Sequence, residues 1–270
     1  MKVEFYKYQG TGNDFIIIDD RGEKFPFENA SLINSLCEQK FGIGADGLIL
    51  LRKSATHDFK MLYANSDGKP STMCGNGGRC IVAFAKQLGL IEEQTSFEAT
   101  DGIHQAIIKN NFVELKMNDV EEVNQLNNNV FEANTGSPHL VWFVVSTDEY
   151  DVVDTGRSIQ TMPEYPKGIN VNFVEMLEDT SAAETNFLQL NIRTYERGVE
   201  NETLSCGTGA TASAICALSK RKKIEGNYAV TLFTLGGELV VKCNMLSYSS
   251  FSNIWLCGPA EKVFKGEFDI

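Results

Sequence analysis

The sequence has few positive charges and no long apolar run. Lys and Arg number 24 against 36 Asp and Glu, which gives a formal net charge of −12 at pH 7. Nucleic acids are bound largely through Lys and Arg, so this balance argues against a nucleic-acid partner. No apolar stretch approaches the roughly 18 residues that cross a bilayer, and the first ten residues lack the apolar core of a signal peptide. We therefore expect no membrane partner and a cytoplasmic location.

Metal ligands and closely spaced cysteines are also scarce. The only histidines are His57, His104 and His139, and none of the seven cysteines belongs to a CxxC pair. This composition lacks the ligand spacing of a zinc site, so we expect no metal. An odd number of cysteines without an export signal also disfavours a disulfide framework. Most of these thiols should be small buried hydrophobic groups.

The sequence divides into two similar halves. Each half contains strand-like runs, a glycine-rich loop, an apolar helix-like stretch at 79–90 or 211–220, and further strand-like runs. The polar, Asn-rich segment 118–130 is the candidate boundary. We therefore predict a first half over 1–119, completed by the last residues of the chain, and a second half over 120–270.

The two helix-like stretches are apolar on nearly all sides, which is typical of buried helices. Asp101-Gly102 and Asn110-Asn111 are good hairpin turns between the strand-like runs that follow the first helix. These features predict an α/β fold in which each half is a curved, mostly antiparallel sheet wrapped round a central helix. We expect the amino ends of the two helices to meet between the halves.

A cysteine directly precedes each helix within the pattern C-G-x-G, as Cys74 and Cys206. The amino end of a helix offers unpaired backbone N–H groups and a partial positive charge. Glycine lets the backbone approach a ligand closely, so each loop suits a carboxylate. The same environment stabilises a thiolate. A single C-G-x-G is common in ordinary turns, but two copies at matching places indicate a site.

Two such cysteines on opposite sides of an amino acid predict inversion at its α-carbon. One thiolate removes the α-proton from one face, and the other cysteine, as a thiol, returns a proton to the opposite face. Helix-end N–H groups around the substrate carboxylate would stabilise the carbanionic transition state. The sequence thus favours a cofactor-independent epimerase with Cys74 and Cys206 as its proton-transfer groups.

Six motifs occur along the chain, GTGNDFIIID (10–19), FGIGADG (41–47), NSDGKPSTMCGNGGRC (65–80), GSPH (136–139), GINVNF (168–173) and YERGVENETLSCGTGA (195–210). In kind and in order they resemble the motifs of the diaminopimelate epimerase family. The family interconverts LL- and meso-diaminopimelate in lysine and cell-wall synthesis. The resemblance implies a duplicated α/β fold, no pyridoxal phosphate, no metal and a homodimer. It also makes Cys74 and Cys206 the acid/base pair.

The resemblance also assigns substrate contacts. Gly75, Asn76, Gly207 and Thr208 match positions that hold the α-carboxylate and the amine. The remaining contacts match Asn13, Asn65, Asn170, Glu196 and Arg197.

Arg197 suits a distal carboxylate because its guanidinium can bind it bidentately. Glu196 and His139 match positions that tune the acidity of the cysteine pair. Two positions depart from the best-known members, which have a substrate-contacting Gln at the position of Gly47 and Asn at that of Ser137.

Three other functions stay open on the sequence alone. A proline or hydroxyproline racemase also uses two cysteines in glycine-rich loops, but a substrate with one carboxylate would not need the distal set of polar residues. A non-catalytic module that binds small anions would explain the glycines but not the two matched cysteines. A thiol redox sensor is disfavoured because neither cysteine has a local resolving partner.

Overall fold

The computed structural model describes residues 2–177 and 187–270. The chain forms two compact units, one of Met1–Leu115 with Gly258–Ile270 and the other of Lys116–Cys257. The last thirteen residues of the range 120–270 therefore lie in the first unit.

Unit 1 consists mainly of strands, with two helices. In chain order its elements are β1 (Lys2–Gly10), β2 (Asn13–Asp19), α1 (Ala30–Cys37), β3 (Gly47–Arg52), β4 (Phe59–Asn65), β5 (Pro70–Ser71), α2 (Gly75–Gln87), β6 (Gln94–Ala99), β7 (Gly102–Lys109) and β8 (Phe112–Lys116), with the later strand β18 (Glu261–Asp269).

Unit 2 contains the same kinds of element. They are β9 (Val123–Gln125), β10 (Val130–Asn134), β11 (Pro138–Val144), a short 3₁₀ helix (Thr147–Glu149), α3 (Val152–Gln160), β12 (Asn170–Met176), β13 (Phe187–Glu196), β14 (Asn201–Thr203), α4 (Gly207–Lys220), β15 (Gly226–Thr234), β16 (Gly237–Met245) and β17 (Phe251–Pro259).

The two units have the same strand order and the same strand directions. Unit 1 runs β18-β1-β2-β3-β4-β6-β7-β8, with parallel pairs only at β2–β3 and β4–β6. Unit 2 runs β9-β10-β11-β12-β13-β15-β16-β17, and among its described residues parallel pairs occur only at β11–β12 and β13–β15. The predicted duplicated α/β fold is confirmed, and β18 in unit 1 occupies the place of β9 in unit 2.

Each sheet carries a helix on both faces, one more than the sequence analysis proposed. Ile16 and Leu48 pack with α1, whereas Phe15 and Ile49 alternate with them and face α2. In unit 2, α3 packs against a cluster that includes Phe173. The central helices α2 and α4 are largely buried, as their apolar composition predicts.

Both central helices begin one turn earlier than predicted, at Gly75 and Gly207. Glycine has low helix propensity, so the first turn resembled a loop in the sequence. A Cβ on Gly78 would lie 2.9 Å from both Leu115 Cδ2 and Met73 Sδ. Close packing of α2 therefore requires that glycine. Within 2–177 and 187–270, no helix is long and apolar enough to span a membrane.

Candidate active site

Cys74 is the N-cap residue of α2, directly before its first residue Gly75. It has an extended backbone, with φ −94° and ψ 134°, and its carbonyl accepts a hydrogen bond from Gly78 N at 2.7 Å. The side chain is partly exposed. The thiol donates to Asn13 Oδ1 at 3.6 Å. The sequence predicted both residues for the site, and the structure brings them into contact.

Asn13 is held by hydrogen bonds on both sides of its amide. Its Oδ1 also accepts from Asn76 Nδ2 at 3.2 Å, and its Nδ2 donates to Asp46 Oδ2 at 2.5 Å. Asp46 further accepts from Asp14 N at 3.1 Å. Asp46, from the FGIGADG motif, thus orients a candidate substrate contact.

A buried guanidinium supports this loop. Arg79 is fully buried, and it donates to Asn76 Oδ1 and to Thr11 Oγ1, each at 3.1 Å. It also donates to Pro259 O at 3.4 Å. Arg79 is one residue before the buried Cys80, and its role was not predicted from the sequence. The signal available was an Arg near the start of a largely apolar helix.

Cys206 is the N-cap residue of α4 in the same way. Its backbone is extended, with φ −115° and ψ 112°, and its carbonyl accepts from Ala210 N at 2.8 Å. The side chain is 7% exposed, which is less than that of Cys74. The sulfur lies 3.6 Å from the Thr208 hydroxyl. Both C-G-x-G loops therefore form the first turn of a buried helix.

A chain of buried polar side chains leads away from Thr208. Its hydroxyl lies 2.9 Å from His139 Nε2, and His139 Nδ1 lies 3.2 Å from Asn172 Nδ2. Thr194 Oγ1 donates to Asn172 Oδ1 at 3.0 Å. Burial, and secondarily the positive charge of Arg197, lowers the pKa of His139 to about 3, so the imidazole is neutral near pH 7.

Asn170 joins two of the predicted motifs. Its Nδ2 donates to Ser137 Oγ at 2.8 Å and to Pro138 O at 3.0 Å, and its Oδ1 accepts from Arg197 N at 2.9 Å. Arg197 is exposed, and its guanidinium donates to Lys167 O at 3.1 Å. Asn170 is 3% exposed and therefore fixes the backbone at Arg197.

Glu196 and Asn65 are the last residues of corresponding strands in the two units. Glu196 ends β13 and accepts from Thr203 Oγ1 at 3.0 Å. Asn65 ends β4, is exposed, and donates through its backbone N–H to Lys69 O at 3.1 Å. Over the described residues, no group of three or more His, Cys, Asp and Glu side chains could hold a metal ion.

Comparison with known proteins identifies the family. A diaminopimelate epimerase family model matches residues 5–123 and 131–260. A Flavobacterium psychrophilum protein named diaminopimelate epimerase is 52% identical over 265 residues, which cover 97% of this chain and 99% of that protein. An Aquifex aeolicus protein of the same name is 38% identical over 290 residues, covering 98% and 97%. The chain belongs to the diaminopimelate epimerase family.

Membership in the diaminopimelate epimerase family makes the protein an isomerase. A Bacillus anthracis phenazine biosynthesis protein of the PhzF family has a TM-score of 0.77 at 14% identity, with 100% of both chains covered. A hydroxyproline epimerase from Agrobacterium vitis has a TM-score of 0.65 at 14% identity, covering 99% of this chain and 91% of that one. At these identities the likeness is one of fold.

The structure shows what surrounds the two departures from the diaminopimelate epimerase pattern. A Cβ on Gly47 would lie 2.6 Å from Tyr63 Cε2 and 2.7 Å from Ala64 O. Tyr63 therefore fills the space that a longer side chain at position 47 would enter. Ser137 keeps a polar contact, because it accepts the hydrogen bond from Asn170.

Proposed function

We propose that this protein interconverts LL- and meso-2,6-diaminopimelate, with Cys74 and Cys206 as its two proton-transfer groups and without a cofactor. The observation that supports this most strongly is the pair of cysteines, each preceding a buried helix in the same extended conformation. This pair occurs in a chain that belongs to the diaminopimelate epimerase family. We further propose that it works as a homodimer in the cytoplasm, in the synthesis of lysine and peptidoglycan precursors.

The proposed reaction moves two protons and no electrons. One cysteine, as thiolate, takes the α-proton, and the bonding electrons remain on the α-carbon and its carboxylate. The other cysteine, as thiol, gives a proton to the opposite face of that carbon. The α-carbon is inverted, and the two cysteines finish with their protonation states exchanged. Backbone N–H groups at the start of α2 and α4 would stabilise the negative charge on the substrate carboxylate.

Substrate binding divides between the first turns of the helices and the polar strand ends. We assign the α-carboxylate and the amine to Gly75, Asn76, Gly207 and Thr208. The remaining contacts are assigned to Asn13, Asn65, Asn170, Glu196 and Arg197. The Asn170 amide also bonds Ser137, Pro138 and the backbone N–H of Arg197, so it positions Arg197 as well.

The test is incubation with LL-diaminopimelate in deuterated water, following both the isomer ratio and the α-deuterium content. We expect meso product labelled at the inverted carbon, and no exchange with proline. Cys74→Ala and Cys206→Ala should each abolish turnover while the protein stays folded. Cys37→Ala and Cys243→Ala, which remove other buried thiols from unit 1 and unit 2, are the matched controls and should retain it. Near-wild-type turnover in either site variant would reject the two-base mechanism.

The mechanism also requires both sulfurs to reach one α-carbon. Thiols that share one small substrate come within range of a disulfide when the site is empty. Mild oxidation should therefore inactivate the enzyme reversibly, with protection by substrate. Mass spectrometry that finds no Cys74–Cys206 link in fully inactivated protein would contradict the required proximity.

A further inference from the structure

The two cysteine loops share one backbone geometry but differ in the side chain that contacts each sulfur. Thr208 places a hydroxyl beside Cys206, whereas Asn13 places a carbonyl oxygen beside Cys74. We propose that, in the substrate-free protein, hydrogen-bond chains within each unit hold Cys206 as the thiolate and Cys74 as the thiol. The catalytic meaning of this asymmetry rests on the proposed function, but the asymmetry itself does not.

In unit 2 the donor-to-acceptor direction of the hydrogen-bond chain is fixed at Asn172. Its Nδ2 lies 2.9 Å from Leu140 O, which can only accept a hydrogen bond, so this atom is the amide nitrogen. Its Oδ1 accepts from Thr194 Oγ1. Asn172 is fully buried, which keeps water from competing for these bonds. The group that Asn172 presents to His139 is therefore a donor.

His139 carries this polarity to the helix. Asn172 Nδ2 donates to Nδ1, so Nδ1 has no proton, and the neutral imidazole carries its proton on Nε2. The imidazole is neutral because burial lowers its pKa to about 3. Nε2 then donates to the Thr208 hydroxyl at 2.9 Å. With its oxygen already accepting, the hydroxyl can turn its own proton toward Cys206.

A donor beside a sulfur favours the thiolate, because hydrogen bonds to a charged form stabilise that form. Thr135 Oγ1 also donates to Thr208 O at 2.8 Å, which holds the residue in place. In this arrangement, Asn172 and Thr194 are positioning residues. They act by orienting His139.

In unit 1 the hydrogen-bond chain runs in the opposite donor-to-acceptor direction, so that it ends on an acceptor at the sulfur. Arg79 can only donate, so the Asn76 atom that it contacts is Oδ1, and Asn76 Nδ2 faces Asn13. The other side of the Asn13 amide donates to the carboxylate of Asp46. Asn13 therefore presents Oδ1 to Cys74. A carbonyl oxygen accepts from a thiol and has nothing to donate to a thiolate.

The sheet beneath each loop shows the same difference. The Cβ of an alanine at position 77 would meet Ile49, and that of an alanine at position 209 would meet Asn172, so these two strand residues occupy matching places. Across the sheet, Ile49 pairs with Tyr63, whereas Asn172 pairs with Thr194. Unit 1 thus has an aliphatic residue where unit 2 has the central amide of its chain.

Charged groups near Cys74 partly cancel. Arg79 favours the thiolate, but two nearby carboxylates oppose it. Asp46 accepts a hydrogen bond from Asn13, and Asp101 accepts one from the backbone N–H of Met73. Asp101 is itself within 3.2 Å of His104.

Two further charges in unit 1 neutralise each other, since Lys7 pairs with Asp14 at 2.7 Å. In unit 2, Arg197 adjoins Glu196 in the chain, and His139 is neutral. The hydroxyl beside Cys206 and the carbonyl oxygen beside Cys74 therefore distinguish the two sulfurs.

The consequence for catalysis is directional. The resting protein accepts the first α-proton at Cys206 and donates from Cys74. One turnover leaves the protonation states exchanged, so the protein must return to its resting form before it repeats the same direction.

The test measures iodoacetamide alkylation of substrate-free, reduced protein at a series of pH values, with each cysteine quantified by peptide mass spectrometry. The midpoint of each rate profile reports ionisation and does not depend on accessibility. We expect Cys206 to ionise at lower pH than Cys74, although Cys206 is the more buried. Thr208→Val should raise the Cys206 midpoint by about one pH unit, a tenfold loss of thiolate, because a hydrogen bond to a charged group is lost. Cys74 should not change.

Thr211→Val is the matched control, since this buried threonine of the same helix bonds Gly207 O and not the sulfur. Thr194→Val should move the Cys206 midpoint in the same direction as Thr208→Val, and Thr194→Ser should restore it. Equal midpoints, a lower midpoint at Cys74, or a Cys206 midpoint that changes in neither Thr208→Val nor Thr194→Val would overturn the proposal. Epimerisation is assayed separately, so a protein with the predicted midpoints and no turnover would reject the proposed function alone.

Discussion

The sharpest stability prediction concerns the glycine that ends each C-G-x-G pattern. Gly209 lies in the first turn of α4, and a Cβ there would come within 2.4 Å of Asn172 Oδ1. That amide cannot easily move, because it bonds Leu140 O, His139 Nδ1 and Thr194 Oγ1. Gly209→Ala must therefore displace a buried, fully bonded side chain.

The magnitude follows from three contributions. Alanine in place of glycine gains about 1 kcal/mol in helix propensity. Overpacking costs about 1–3 kcal/mol, and a buried polar group that loses its partner costs about 1–3 kcal/mol more. We expect a net loss of about 1–5 kcal/mol in the free energy of unfolding of unit 2.

Gly77→Ala is the matched control in α2. Its Cβ would lie 3.1 Å from Ile49 Cδ1 and 3.5 Å from Met61 Cε, which are the ends of apolar side chains. These atoms can shift by a few tenths of an ångström, so helix propensity offsets the packing cost. We expect a change of about 1 kcal/mol or less in either direction.

The assay is urea unfolding followed by tryptophan fluorescence and by circular dichroism. Trp142 and Trp255 are the only tryptophans, and both belong to unit 2, so fluorescence reports that unit. Circular dichroism covers the control in unit 1. Asn172→Ala should relieve the clash, so Gly209→Ala should cost less in that background. Equal stability of the two glycine variants, or no relief in the double variant, would refute the reasoning.

Three further changes test other parts of the molecule. Arg197→Met should lower kcat/KM for diaminopimelate by about thirtyfold or more, with a smaller effect on kcat in steady-state assays, because an unpaired substrate carboxylate costs about 2–5 kcal/mol. Burial lowers the pKa of His139 to about 3, against an ordinary 6.5. The protein should therefore lose stability as the pH falls from 6.5 toward 3, since only the unfolded chain takes up the proton in that range. In urea titrations, His139→Gln should flatten this dependence of stability on pH. Ser213 Oγ is buried without a hydrogen bond within the described residues, so Ser213→Ala should stabilise unit 2 by about 1 kcal/mol, whereas Ser219→Ala, which loses a bond to Ile215 O, should not.

Much of the fold could be predicted from local sequence patterns. The apolar composition of α2 and α4 indicated buried helices, and Asn110 adopts the positive φ of 56° expected in the hairpin turn. Helix α3 was not predicted because Gly156 interrupts it. A Cβ there would lie 2.4 Å from Tyr195, so that glycine serves a packing contact between elements distant in the chain.

The candidate site was predictable in its motifs but not in its support. The C-G-x-G loops identify Cys74 and Cys206 without any knowledge of packing. The polarity of the contacts beside them depends on Asn172 and Arg79, whose partners come from other strands and loops. Such contacts follow from strand register, which a single sequence does not specify.

The placement of β18 has a consequence during synthesis. Strand β1 pairs with β18 along its outer side, but the ribosome makes the two strands roughly 12 to 50 seconds apart at about 5–20 residues per second. Until β18 emerges, the outer edge of β1 is open to pairing with other nascent chains. Unit 2 is continuous from Lys116 to Cys257 and can complete its sheet first. The half that is translated first is therefore the half that finishes folding last.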